Sequence, residues 1–170
     1  MTPPVRKLAL TAHVTCSVGW LGAAVCSLVL ALAGVLSPDP EVVRASYLAL
    51  EVLAWFVLVP LSVASLVTGV VQSLGTRWGL FRHYWVLMKL AMNLVAVVVL
   101  LLYTQTLGYL ADLASSRPPG AGLSELQSPS PVLHSALAVV LLLFATVLAL
   151  YKPKGVTTYG QRKQRALSPS

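Results

Sequence analysis

The chain has 170 residues, of which 57% are hydrophobic and only 10% are charged, and its mean hydropathy is +0.81. Soluble proteins carry roughly a quarter charged residues, so this composition excludes an ordinary soluble domain. The formal net charge of +7 would suggest nucleic-acid binding in a soluble protein, but here the basic residues flank apolar runs. We therefore expect contact with the lipid bilayer and its anionic headgroups, and no nucleic-acid partner.

The first apolar run covers residues 9–36 and is long enough to cross about 30 Å of hydrocarbon as a helix. A cleaved signal peptide is the competing interpretation, because Arg6 and Lys7 precede an apolar core. That core is much longer than the usual signal-peptide core of about 7–15 residues, so we predict a retained span. One side of the helix would carry His13, Cys16, Ser17, Trp20 and Ser27. Four small residues of this helix would let another helix approach closely, either within the bundle or at a dimer interface: Gly19, Gly22, Ala23 and Cys26.

The second predicted span, residues 47–73, carries a broad polar stripe on one helical face: Glu51, Trp55, Ser62, Ser65, Thr68 and Gln72. Asn93 and Gln105 of the third predicted span, residues 84–109, are placed to face this stripe. The stripe would hydrogen-bond between helices or line a path for a small molecule or an ion. Pro60 lies near the middle of the second span and should kink it, because proline lacks a backbone donor and clashes with the preceding turn.

Lys89 is the one basic residue inside an apolar run, and it shares a helical face with Asn93 at the i, i+4 spacing. It lies close enough to the inner interface for its side chain to snorkel back to the headgroups. Glu51 would be the natural acidic partner of Lys89. However, Glu51 is predicted near the outer end of the second span, so we expect no direct ion pair. The candidate polar residues embedded in the membrane are therefore Glu51, Gln72, Lys89 and Asn93.

The fourth predicted span covers residues 132–151. All the predicted elements are helices, so we predict an all-α fold class. Residues 74–83 form a short aromatic connection, which makes a tight hairpin of the second and third spans. Residues 114–131 are rich in Ser, Pro and Gly and are predicted to be irregular. We predict a four-helix integral membrane bundle over residues 1–151, followed by a basic, disordered cytoplasmic tail over residues 152–170.

The basic residues indicate the orientation of the bundle. Nine of the twelve fall in three stretches that the four spans would place on one side of the membrane: Arg6, Lys7, Arg77, Arg82, Lys152, Lys154, Arg162, Lys163 and Arg165. The positive-inside rule then predicts cytoplasmic N and C termini and a multi-pass protein of the plasma (inner) membrane. Aromatic residues would mark the inner boundary (Trp78, Phe81, Tyr84, Trp85) and the outer boundary (Tyr47, Tyr103, Tyr109).

The predicted topology separates the three histidines. It places His13 and His83 near the inner surface and His134 near the outer one, which excludes a site built from all three. His13 and His83 could still serve as axial ligands of a b-type haem or as part of a metal site. The alternative, which we favour, is that His13 packs against a neighbouring helix while His83 and His134 lie in the headgroup zone, because two histidines without the fixed spacing of a metal motif are a weak signal.

Three segments resemble a group of small four-span bacterial membrane proteins: residues 13–22 (HVTCSVGWLG), Pro60 with Thr68 and Gly69, and residues 75–89 (GTRWGLFRHYWVLMK). They are most similar to uncharacterised actinobacterial integral membrane proteins, over roughly residues 8–105. His13, Trp20 and Gly22 also resemble, more distantly, the start of CopD-type copper-resistance and haem-pathway membrane domains. The first resemblance implies a four-span fold, and the second implies haem or copper binding at His13.

No sequence motif predicts an enzyme, since the chain has no phosphate-binding glycine loop, no HExxH, no CxxC and no Ser/His/Asp set. The first functional hypothesis is a non-enzymatic membrane protein that packs with itself or with a membrane partner. The second is a haem b or metal protein that uses His13 and His83. The third is a permease component for a small molecule or an ion that uses the stripe with Glu51, Ser65, Gln72 and Asn93.

Overall fold

The computed structural model describes residues 1–75, 79–118, 126–153 and 155–165, without the side chains of residues 163–165. Within those residues the chain is helical apart from short connections and an isolated bridge between His83 and Val156. The elements are α1 (Pro3–Leu36), α2 (Pro40–Leu53), a π-helical turn (Ala54–Leu58), α3 (Val59–Leu74), α4 (Tyr84–Ser116), α5 (Ser130–Tyr151) and α6 (Thr158–Arg165). Three residues used above to predict the topology lie outside the described part: Arg77, Trp78 and Lys154.

Four helical segments are long and apolar enough to cross a membrane: α1, the continuous stretch Pro40–Leu74, α4 and α5. Helix α1 packs against α2, α3 and α5, and α4 packs against α2, α3 and α5. Each span therefore contacts its neighbours in chain order, and the fourth span closes the ring against the first. The prediction of an all-α fold with four long apolar helices is confirmed.

The beginning of the chain and the segment after α5 lie at the same end of the bundle. Met1 lies against Gly75, after α3, and Thr157 donates a backbone hydrogen bond to Arg82, before α4. We call this the terminal end of the bundle. The opposite end, where α1 leads into α2 and α4 leads toward α5, is the loop end.

A π-helical turn interrupts the second span just before Pro60. The N–H of Val59 donates to the carbonyl of Ala54, five residues back, as in a π-helix. Pro60 has no N–H to donate, and its ring would clash with the carbonyl four residues earlier. The wider turn gives the ring room, so the disturbance predicted at Pro60 takes the form of a π-turn.

The helices at the loop end are longer than the predicted spans. The second span begins at Pro40 rather than at residue 47, and the third ends at Ser116 rather than at residue 109. Tyr103 stacks on His134, which lies one turn inside α5. At 1.5 Å per residue, α4 therefore extends about 14 Å past the start of α5. We call residues 40–50, 107–116 and 126–131 the loop-end cap.

The buried core of the bundle continues into the loop-end cap. The buried side chains of the cap come from α2, α4 and the segment before α5: Val43, Tyr47, Leu50, Leu110, Ala111, Ala114 and Leu126. The sequence places Tyr47 at the membrane boundary, but the side chain is only 1% exposed, because its ring packs on Gly34 and its hydroxyl donates to the carbonyl of Leu126. The connection that is predicted to be irregular is helical as far as Ser116 and packed again at Leu126.

The described part of the C-terminal tail is docked on the bundle, whereas its composition predicts disorder. The backbone N–H of Thr157 donates to the carbonyl of Arg82 at 3.0 Å, and its hydroxyl donates to the carbonyl of Phe81 at 2.6 Å. Gly160 lies so close that an added Cβ would be 2.6 Å from the carbonyl oxygen of Arg82. These contacts hold α6 against the connection between α3 and α4, while residues 166–170 lie outside the described part.

Candidate functional site

Polar side chains of α1 and α3 meet in the terminal half of the bundle. The Nδ1 atom of His13 lies 3.2 Å from the carbonyl oxygen of Ser65 and 3.2 Å from Oγ1 of Thr68. The hydroxyl oxygens of Ser17 and Ser65 are 2.8 Å apart. We call these four residues the His13 cluster.

Helical spacing brings the members of the His13 cluster together. His13 and Ser17 are four residues apart on α1, and Ser65 and Thr68 are three apart on α3, so each pair lies on one face of its helix. Gly69 lets the imidazole approach the backbone of α3, since a Cβ at that position would be 3.0 Å from Cε1 of His13. These contacts place His13 and Ser17, which the sequence assigns to one side of α1, against the same neighbouring helix, α3.

The hydrogen bonds of the cluster determine which nitrogen of neutral His13 carries the hydrogen. The carbonyl of Ser65 can only accept, and the hydroxyl of Thr68 donates its own hydrogen to the carbonyl of Ala64, at 2.6 Å, or of Ser65. Both partners of Nδ1 are therefore acceptors, and the hydrogen is on Nδ1. The lone pair on Nε2 could accept a proton or a hydrogen bond, or ligate a metal.

Lys89 lies near the His13 cluster, with its ammonium group toward the terminal end. It is close enough to His13 to interact with it electrostatically. Its Nζ atom is 5.7 Å from the ring centroid of Trp85, one turn nearer the terminal end, which is a cation–π distance. This is the direction that snorkelling predicts. Asn93 shares the face of Lys89 and is half-buried.

The other two histidines have surroundings unlike those of His13. His83 is the residue before α4, and its backbone pairs with Val156. The Nδ1 atom of His134 lies 2.9 Å from the carbonyl oxygen of Ser130, and its ring stacks on Tyr103 with 3.9 Å between centroids. Among the residues that the structure describes, no group of three or more His, Cys, Asp or Glu is placed to hold a metal ion. A haem b or metal shared by His13 and His83 stays a prediction.

The polar stripe of the second span is divided at the π-turn. Ser62 and Ser65 are fully buried, while Trp55 is 50% exposed. A π-turn acts as a one-residue insertion, which rotates the residues before it by about 100° relative to those after it. The sequence predicts that Asn93 and Gln105 of α4 face the stripe. The hydrogen-bond contacts of Ser65 and Thr68 with another helix go to α1, and Gln105 is exposed.

Glu51 lies half-buried at the surface of the bundle, before the π-turn. With Val52, Trp55 and Phe56 it lines a shallow depression, and its Oε1 would be 3.5 Å from a Cβ added at Gly108 of α4. Gly108 follows Lys89 by nineteen residues, about 29 Å along the helix, which excludes the Glu51–Lys89 pair, as the sequence predicts. In the described part of the chain, Glu51 accepts no hydrogen bond and has no ion-pair partner within 4.0 Å.

Arg44 is a residue of structural importance that sequence reasoning missed. Its side chain is 17% exposed, and its terminal nitrogen donates to the carbonyls of Arg117 at 2.7 Å and Pro118 at 3.1 Å. The sequence does contain a signal for the earlier start of this helix, since Asp39 and Pro40 are favoured residues at a helix N-terminus. The side chain of Asp39 does cap α2, accepting from the N–H of Glu41 at 2.9 Å, and this start places Arg44 within a helix.

In the described part of the spans, the His13 cluster and the Glu51 depression are thus the two candidate functional sites. The resemblance to four-span actinobacterial proteins and to CopD-type or haem-pathway domains stays a prediction. Comparison of the chain with models of protein families, with curated proteins and with solved structures gave no match.

Proposed function

We propose that the chain is a non-enzymatic, multi-pass protein of the plasma (inner) membrane, with both termini in the cytoplasm, that binds a helix of a membrane partner through the surface around Glu51. The four long apolar helices support the membrane assignment. The basic residues flank the spans mainly at the terminal end, which supports the cytoplasmic placement of that end.

The surface position of Glu51 is the observation that carries the proposal. Its carboxylate lies beside the exposed side chains of Trp55 and Phe56, the latter 77% exposed. A charged group at the edge of an apolar span is costly unless it is paired, which is why such groups mark functional sites. A partner helix that supplied a hydrogen-bond donor or a cation would remove that cost.

The chemistry of the partner follows from the charges at the loop end. Arg44 is already engaged with two carbonyls of the connection after α4, and Arg117 also takes part in a contact. The cation for Glu51 would therefore come from a basic residue on another protein. Trp55 and Phe56 would add apolar contact and a cation–π interaction with that residue.

The packing of the stripe favours an interaction protein over a permease component. Ser62 and Ser65 would line a path through the bundle, but both are buried between helices and bonded to neighbouring groups. Hydroxyls used in this way stabilise helix packing by modest amounts. Glu51, by contrast, is half-buried and lines a surface depression beside the exposed side chains of Trp55 and Phe56.

Photo-crosslinking in native membranes tests the proposed partner site. A photoreactive phenylalanine analogue is placed at Val52, in the depression, or at Val140 on α5, which is similarly exposed (57% and 63%). We expect a discrete protein adduct from position 52 and none from position 140. Glu51→Gln should reduce the adduct about tenfold or more, because a desolvated charge pair contributes on the order of 1.4 kcal/mol or more to binding.

Two results would contradict the proposal: equal adducts from positions 52 and 140, or an adduct from position 52 that Glu51→Gln leaves unchanged. The mass of the adduct identifies the partner. An adduct of twice the chain mass of 18.1 kDa would show that a second copy, rather than a different basic protein, occupies the depression.

A further inference from the structure

We propose that residues 155–165, the docked segment, form a binding surface for anionic phospholipid headgroups at the terminal end of the bundle. The occupant is the phosphate-bearing headgroup layer of the membrane in which the spans lie. This inference is independent of the partner proposed for Glu51, because it concerns the opposite end of the molecule.

The docked segment is fixed to the end of a span by backbone contacts. The N–H of Tyr84, the first residue of α4, donates to the carbonyl of Gly155 at 3.4 Å. Thr157 bonds to the carbonyls of Phe81 and Arg82, and its hydroxyl also accepts from the N–H of Gly160 at 3.1 Å. Helix α6 therefore begins at the height where α4 begins and α5 ends, which is where headgroups meet an apolar bundle.

The side chains around the docked segment suit a headgroup layer. Three basic residues lie at the ends of α5 and α4 and on α6: Lys152, Arg82 and Arg162. Exposed aromatic side chains lie in the same zone, on both sides of the segment: Phe81, Tyr84, Tyr151 and Tyr159. Cations attract anionic lipid, and aromatic side chains favour the interface between headgroups and hydrocarbon.

Charge complementarity selects an anionic occupant. In the described part of the chain the acidic residues are Asp39, Glu41, Glu51 and Asp112, and all lie at or near the loop end. The basic and acidic side chains of the described part are therefore concentrated at opposite ends of the bundle, with the basic ones at the terminal end. A lipid headgroup fits better than a free polyanion, because the cations surround the ends of apolar spans rather than an open groove.

Docking, and not charge alone, is predicted to create this surface. Helix α6 has the sequence TYGQRKQR, which offers too few apolar residues for insertion into a bilayer by itself. The contacts of Thr157 and Gly160 hold the helix, and with it Arg162, at the membrane surface. A substitution that displaces the segment without changing its charge should therefore weaken lipid selection.

Spin-labelled lipids measure this selection directly. The full chain is reconstituted in phosphatidylcholine vesicles, and its relative affinity for spin-labelled phosphatidylglycerol over spin-labelled phosphatidylcholine is determined. We expect the wild-type chain to select phosphatidylglycerol. Arg162→Gln should lower that selectivity about fivefold, the ratio that corresponds to the attraction of one basic residue near an anionic surface.

A matched pair of glycine variants separates docking from charge. In Gly160→Ala the new Cβ would lie 2.6 Å from the carbonyl oxygen of Arg82, so the segment must shift, whereas in Gly155→Ala it would lie 3.5 Å from Tyr84, an ordinary contact. We expect Gly160→Ala to lose selectivity and Gly155→Ala to keep it, with the helical content of both unchanged by circular dichroism. Equal affinity of the wild type for the two lipids would overturn the proposal. So would full selectivity in Gly160→Ala, or complete competition by inorganic phosphate.

Discussion

Tyr47→Ala is expected to lower the free energy of unfolding by about 3–5 kcal/mol, the range for truncating a buried aromatic side chain. Tyr47 is among the largest fully buried side chains of the chain, and its ring fills the space beside Gly34. The substitution would leave a cavity in the loop-end cap and would also remove the donor to the carbonyl of Leu126. Reversible unfolding of the purified protein in mixed micelles measures the loss.

Two tyrosine variants serve as controls for the cavity. Tyr47→Phe keeps the ring and removes only the hydroxyl, so it should cost about 1–3 kcal/mol, the penalty for a buried acceptor left unpaired. Tyr109→Ala removes a ring that is 66% exposed, and its effect should stay within about 0.5 kcal/mol. Similar losses for Tyr47→Ala and Tyr109→Ala would show that the cap is not packed as described.

Arg44→Met is expected to lower the free energy of unfolding by about 2–3 kcal/mol. The guanidinium group donates to the carbonyls of Arg117 and Pro118, and hydrogen bonds from a charged donor contribute about 1.5–3 kcal/mol. Without them the chain should separate from the cap where α4 ends. We therefore also expect faster proteolysis just after Ser116, which mass spectrometry of the fragments would locate.

The neighbouring acid provides the control for Arg44. Glu41 lies 3.8 Å from Nε of Arg44 and its side chain is 58% exposed, and exposed ion pairs of this kind contribute little. Glu41→Gln should change stability by less than about 0.5 kcal/mol. If Glu41→Gln cost as much as Arg44→Met, the ion pair rather than the carbonyl contacts would be the source of the stability.

The four long helices could be predicted because the signal for a membrane span is a long apolar run bounded by charge. Because this signal depends on apolar runs, it does not predict the helical extensions at the loop end. Arg44 and Asp112 interrupt the hydropathy, so the predicted spans stop short of them. The helices continue because α2 and α4 extend the core of the bundle and bury it against Leu126. Extension of a helix into a polar sequence depends on tertiary packing, which a hydropathy window does not measure.

The His13 cluster was only half predictable. Helical spacing places His13 and Ser17 on one side of α1, but the face of α3 opposite them depends on the π-turn before Pro60, which shifts the helical register. The sequence predicts that Asn93 and Gln105 face the stripe, but the hydrogen-bonding side chains beside Ser65 come from α1, and Gln105 is exposed. Docking of the tail depended on single backbone hydrogen bonds and on the close approach of Gly160, which leave no trace in composition.

The orientation of the four spans is tested most directly by labelling two single-cysteine variants, Ser116→Cys and Gln161→Cys, in a chain with Cys16 and Cys26 replaced by alanine. Both new positions are exposed, at opposite ends of the bundle. A thiol reagent that does not cross membranes should label position 116 in intact cells and position 161 only after the membrane is made permeable. Labelling of position 161 in intact cells, with position 116 protected, would contradict the proposed orientation, and labelling of both would contradict a membrane-spanning bundle.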